Sequence, residues 1–372
     1  MIRPNRRQFL RGVASLPWLV CCNAPPPAAP TNAAASGPGP ARVAEAATVG
    51  VAPKEAPRAS ATVKVGVVRT ATEAGLYLGI ERGYFAEQGL QIELEDFNTA
   101  ATEVPALGTN QIDVASGVLS AGLFNAIERG VGIKIVGPFS RQDASRSSNY
   151  ILVRTDLIDS GAIRSFADLR GRSFAAPSRG GTVEYSVDVA MRQVGLTAND
   201  LHWINLDYPD QLAAFANQAL DAGFAPEPIP TLAATRGVAV KWRSVGDWAP
   251  GMQIGVLLFA PAFEAANDMA RRWMVAYLRG VRDYTDALQN GAGRQELFQV
   301  LARNTTMKDL GLYEEVGWAN LGPDGNLNLA SIRDQAQWYV DEGLVASPPD
   351  LGQIVDLQYV EYARSVLGRY PQ

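Results

Sequence analysis

The sequence predicts an α/β fold in two lobes, each a mostly parallel sheet flanked by helices, with a helical C-terminal part. Three observations predict it. From about residue 61, short β-branched apolar runs alternate with stretches of helical spacing, the pattern of βαβ units and a parallel sheet. The alternation occurs twice, over about 61–150 and about 153–250, and after one more apolar strand the chain reads helical almost to its end. A chain of 372 residues, 47% hydrophobic and 19% charged, is long enough for about two domains with sizeable cores.

The amino-terminal residues stand apart from this pattern. "NRRQFLRG" (5–12) sets paired arginines before Phe9 and Leu10, and the short apolar stretch "VASLPWLV" and then "CCNA" follow. A charged start, a brief hydrophobic centre and small residues beyond it predict an export signal over residues 1–24. Its apolar run is far shorter than the roughly 20 residues needed to cross a bilayer. The Arg-Arg-x-Phe-Leu order points to the twin-arginine type. Cys22 is a candidate for lipidation, with cleavage after Ala24 as the alternative. Residues 25–60, rich in Pro, Ala and Gly, read as a disordered tether. The expected location is the periplasm or the outer face of the cytoplasmic membrane, with a lipid anchor as the sole membrane contact.

The elements follow in order. "TVKVGVV" (62–68) is β-branched and reads as a strand; residues 75–88 carry Leu76, Ile80 and Tyr84 near helical spacing before Gly89 ends them. "LQIELEDF" (90–97) is a strand, a helix spans about 102–109, and "IDVASG" (112–117) is a third strand. "SAGLFNAIERG" (120–130) is a helix closed by a glycine, and "GIKIVGPF" (132–139) a fourth strand. The second unit opens with "NYILVRTD" (149–156). "SFADLRG" and "TAND" then place Ser165 three before Asp168 and Thr197 three before Asp200, as capping boxes do. "RSFAAP", "LHWINL", "LDAGFA" and "VAVKW" are its further strands. "QIGVLLFA" (253–260) precedes amphipathic helices over 266–288 and 356–370.

What is missing narrows the function. The formal net charge is −5, which does not suit a nucleic-acid-binding surface. Beyond Cys22 there is no cysteine, hence no disulfide, thiolate metal site or cysteine nucleophile. The single histidine, His202, lies in a strand beside Trp203 and reads as structural. There is no HExxH, Walker A loop, GxGxxG or GxSxG. The acidic pairs Glu314–Glu315 and Asp341–Glu342 read as solvated helix faces. No enzyme, cofactor or metal is expected.

Four segments, "GLYLGIERGYFAEQGLQIEL" (75–94), "ALGTNQIDVASGVLSAGLFNAIERGVGIKIVG" (106–137), "SFADLRGRSFAAPSRGGTVEYSVDVAMRQVGL" (165–196) and "NQALDAGFAPEP" (217–228), occur in that order. Together they resemble the periplasmic substrate-binding proteins of ABC importers for nitrate, sulfonates, taurine and thiamine-pyrimidine precursors, over about residues 62–290. The resemblance implies a periplasmic binding protein fold of type II. Lobe one would comprise 61–150 and 255–372, lobe two 153–250, with crossovers near 150–153 and 253–256. It implies a small-molecule ligand, an ABC permease with its ATPase as partners, and a monomer. A sensor or scavenging protein without a permease is the alternative. Eukaryotic thiamine-pyrimidine synthases share the fold but use a histidine and a cysteine-rich motif; the missing cysteines argue against that enzyme.

In open α/β sheets ligands bind at the carboxyl ends of the strands, and the loops there supply the candidates. The first offers Thr70, Glu73 and Tyr77; the third strand offers Ser116, Gly117 and Ser120; the fourth offers Arg141. In the second unit "PSRGGT" offers Arg179, Gly180, Gly181 and Thr182, and "FAPEP" offers Glu227. The Gly-Gly pair lets a ligand approach the backbone, Thr182 can cap the helix, and free N–H groups there favour an electron-rich group. Structural readings stand beside these: Tyr77 as a core aromatic, Glu73 as a helix-start acid, Glu227 as a hinge brace, Arg141 as a surface residue. Arginines suit an anion such as a sulfonate or nitrate; Glu73, Glu227 and Tyr77 suit a nitrogen heterocycle or amine; a zwitterion would suit both.

Overall fold

Among the described residues, ten strands form two five-stranded sheets, and the sequence shows why each strand sits where it does. The computed structural model describes residues 60–371; the export signal, Cys22 and the tether up to residue 59 lie outside the described residues. The first sheet has the order β2-β1-β3-β10-β4. Its strands are β1 Ala61–Val67, β2 Leu90–Asp96, β3 Val114–Val118, β4 Lys134–Gln142 and β10 Met252–Phe259. The second has the order β7-β6-β8-β5-β9, from β5 Asn149–Arg154, β6 Ser173–Ala176, β7 His202–Asn205, β8 Ala222–Pro226 and β9 Ala239–Ser244.

Each sheet contains one reversed strand. β10 runs antiparallel to β3 and β4, and β5 antiparallel to β8 and β9, whereas β1 is parallel to β2 and β3, and β6 to β7 and β8. The reversed strands are those by which the chain enters one lobe from the other. It passes between sheets over residues 143–148 and 245–251. The expected crossovers at 150–153 and 253–256 therefore fall inside β5 and β10: ladder pairing starts at Asn149 and Met252, as soon as the chain reaches the sheet.

Period-two alternation sorts the second lobe into two cores. Ile151 and Val153 of β5 join Phe174 and Phe224 on one face, while Leu152 joins Ala175 and Ala225 on the other. In the first lobe, strand residues from Val63 to Phe139 share one core with residues from Val256 to Ala363. The long helix Asn267–Gln289 supplies much of it, burying Trp273, Tyr277, Val281 and Tyr284 at three- and four-residue spacing. The helix predicted over 75–88 is two helices, Ala74–Glu81 and Tyr84–Glu87. Both predicted capping boxes form: the Ser165 and Thr197 N–H groups donate to Asp168 and Asp200 at 2.9 and 2.8 Å.

Candidate functional site

The carboxyl ends of β1, β3 and β4 meet those of β6 and β8 across a cleft with about 860 Å³ of empty space, open solvent at its mouth included. This is where loops leave the strands of both sheets, so each lobe contributes a wall. Val68, Val118, Phe139, Val183, Phe224 and Ile254 make the apolar surface. Thr70, Ser116, Ser120, Ser140 and Tyr208 bring hydroxyl groups.

Glu73 organises the first-lobe wall. Thr70 precedes the short helix Ala71–Glu73 and Glu73 closes a capping box with it. Glu73 Oε2 accepts from the Thr70 N–H at 2.8 Å and the Tyr77 hydroxyl at 2.8 Å; Oε1 accepts from the Val68 N–H at 2.6 Å and Ser116 Oγ at 3.1 Å. The carboxyl is 1% exposed. Burial pushes its pKa up, against those hydrogen bonds. With its oxygens engaged by four donors, it fixes the loop between β1 and the first helix.

The Pro177–Tyr185 stretch forms the opposing wall, and its backbone explains the glycines. Gly180 has φ +75, a left-handed conformation that glycine adopts without strain. Its N–H donates to Glu184 Oε2 at 2.7 Å, and its carbonyl accepts from the Ala121 N–H of the first lobe at 2.9 Å. Gly181, not Thr182, is the N-cap of the helix Thr182–Arg192, and it forms an antiparallel bridge with Ser120. Thr182 is the first helical residue. Its N–H donates to the Leu119 carbonyl at 3.1 Å, and its hydroxyl reaches the same carbonyl at 3.0 Å and Gln335 Oε1 at 2.8 Å. The expected cap is thus a link to the first lobe.

Of the sequence candidates, Thr70, Glu73, Ser116, Ser120, Arg179, Gly181 and Thr182 line the cleft. Five do not. Tyr77 is 1% exposed in the first-lobe core, its hydroxyl spent on Glu73, so it offers no face for stacking. Gly117 sits within β3 opposite Val256, where a Cβ would strike Leu258. Arg141 turns to Asp143, with Nε–Oδ1 at 2.8 Å. Gly180 lies behind the wall with its N–H bound. Glu227, fully buried, accepts from the Gly317 N–H at 3.1 Å, the Thr231 N–H at 3.1 Å and Lys241 Nζ at 2.7 Å. Because Gly317 follows the first-lobe strands and Lys241 lies in β9, Glu227 braces the lobes.

Sequence reasoning missed several wall residues. Thr99, Ala100 and Ala101 follow β2, and Tyr208 follows β7; the strand-end rule applied to those loops finds both. Asn149 and Ile254 sit where the chain enters β5 and β10, and no local signal marks them. His202 opens β7, exposed and outside the cleft. Among the described residues, no group of three or more His, Cys, Asp or Glu side chains is placed to hold a metal ion.

The family model described as NMT1/THI5 like matches residues 70–287, more than half of the chain. No curated protein matches the sequence. Among solved structures, the alkanesulfonate-binding protein SsuA from Xanthomonas axonopodis pv. citri, bound to MOPS, is similar with a TM-score of 0.65 at 18% identity, covering 80% of this chain and 99% of that one. The periplasmic nitrate-binding protein NrtA from Synechocystis PCC 6803 has a TM-score of 0.64 at 15% identity, covering 83% and 89%. The desulfurization enzyme DSZB has a TM-score of 0.58 at 14% identity, covering 82% and 99%. At these identities the likeness is one of fold: the two-lobed periplasmic binding protein architecture.

Proposed function

The chain belongs to the NMT1/THI5-like family, and from that premise we propose that it is the solute-binding component of an ABC importer. It captures a small polar organic nutrient between its lobes and presents it to a permease. The carrying observation is the cleft itself, walled by strand ends from both sheets, with hydroxyls set in an apolar lining. Thr70, Ser116 and Ser120 contact the ligand from the first lobe, Gly181 and Tyr208 from the second. Ligand bridging both walls favours the closed form by hinge rotation, and the interlobe bonds of Thr182 and Glu227 belong to that form. The solute-binding proteins SsuA and NrtA support this role and a periplasmic location. The sequence features of residues 1–24, Cys22 included, support export, with or without a lipid anchor.

A thermal-shift screen of sulfonates, nitrate, aromatic acids, amides and pyrimidines tests the proposal. At 100 times Kd, a true ligand stabilises the protein by about 2.7 kcal/mol. Absence of any shift across all classes would overturn it, and conversion of a bound compound to product would make the protein an enzyme instead.

A further inference from the structure

The cation that makes the Pro177–Tyr185 turn look like an anion site already has a partner within the turn. Glu184, third residue of the Thr182–Arg192 helix, is 5% exposed. Its Oε1 holds the Arg179 guanidinium, with Nε at 2.8 Å, and its Oε2 holds the Gly180 N–H. The same guanidinium donates to Asn199 Oδ1 at 2.8 Å and lies over the Trp203 ring at 5.3 Å. The Thr182 N–H is taken by the Leu119 carbonyl. Glu184 therefore already gives Arg179 and the Gly180 N–H the carboxylate that a bound anion would offer them.

The other charges give a visiting anion no better partner. Arg179 and Glu73 are the charged residues of the cleft wall; Arg179 is paired with Glu184, and Glu73 holds four donors. An adjoining chamber shares Val68, Thr70, Tyr208 and Pro226 with the cleft, and is lined by Asp96, Asp207, Asp210 and Arg69. There Arg69 pairs with Asp96 at 2.6 Å, while Asp207 and Asp210 have no ion pair among the described residues. An anion in this chamber meets net negative charge, and the one cation of the cleft wall, Arg179, is already paired with Glu184. An amine finds no free carboxylate inside. Burying an unpaired charge costs far more than the hydroxyls can return.

We propose that the cleft selects an uncharged organic molecule, an apolar ring or short chain bearing hydrogen-bonding groups, over anions and amines. This rests on the solute-binding reading and narrows its ligand. Ser116, its proton given to Glu73, is left to accept, and the hydroxyls of Thr70, Ser120 and Tyr208 both donate and accept, so together they suit a neutral amide, alcohol or ring nitrogen.

The test is calorimetric titration of the full chain with matched compounds: benzamide, benzoate and benzylamine, pyrimidine carboxamide and carboxylate, alkanesulfonates and nitrate. Neutral members bind tighter than their charged twins by about tenfold or more. The variant Glu184→Gln releases Arg179 and raises the affinity ratio of anion to neutral twin by about tenfold. An anion or amine binding tightest to the native protein overturns the ligand class and leaves the importer reading standing, as does an unchanged ratio in Glu184→Gln. No binding by any compound overturns both. If Glu184→Gln fails to fold, the native-protein comparison still decides.

Discussion

The Thr182 hydroxyl donates to Oε1 of Gln335, 2.8 Å away and 153 positions along the chain, so one side chain at the mouth of the second-lobe helix is bonded to the first lobe. Both residues are buried. Thr182→Val keeps the shape but leaves the Gln335 oxygen without its donor, at a cost of about 1–3 kcal/mol. Urea unfolding should show the lower midpoint; an unchanged one would mean the bond contributes nothing.

Glu227 is the second tie between lobes. With its side chain fully buried against Lys241 and the Gly317 and Thr231 N–H groups, Glu227→Ala removes the partner of the ammonium and of both amides. A loss of about 3 kcal/mol is expected, the lower end for breaking a buried pair, because Lys241 keeps some solvent. Chemical denaturation measures it. Ligand titration of the same variant should show weaker binding, since the brace holds the walls in register.

Glu103 predicts a pH dependence. It is 0% exposed, and neither carboxyl oxygen has a partner among the described residues. Burial pushes its pKa well above the ordinary carboxyl value, with Glu73 nearby adding to the rise. A carboxyl whose folded pKa is raised stays protonated while the unfolded chain ionises. Its favourable contribution is complete below the unfolded pKa and is lost as pH rises through the folded one. Native stability measured from acid to neutral pH should therefore fall relative to Glu103→Gln, which lacks the titration. Parallel curves for the two proteins would refute the assignment.

Gly181 tests the cleft. Its φ of −134 is open to any residue, and a Cβ there would meet nothing nearer than the Leu119 carbonyl at 3.8 Å. Gly181→Asp should leave stability nearly unchanged while placing a carboxylate on the wall. Ligand affinity should drop about tenfold or more, roughly 1.4 kcal/mol. Retained affinity would remove this turn from the site.

Much of the fold was legible because its signals are local. The runs at 62–68, 90–97 and 253–260 name their strands, and Ser165 with Asp168 names a helix start, since period and capping depend on residues a few positions apart. The strand-end rule likewise located Thr70, Ser116, Ser120 and Gly181 on the cleft. It also pointed to Tyr77 and Glu227, whose side chains turn inward, to Gly117, which lies within β3, and to Arg141 and Gly180, which are bonded away from the cleft. Loop position does not say which way a side chain points.

By itself, then, the sequence determined the order and kind of elements, the doubled α/β plan and the loops that face the cleft. Only tertiary structure decided which charges remain free: Arg179 finds Glu184 and Asn199, Glu227 finds Lys241 and Gly317. Periodicity is written in neighbouring residues, whereas the electrostatics of a buried site depend on partners drawn from distant parts of the chain. A charged residue read in sequence is a candidate contact until packing shows whether another residue has already taken it.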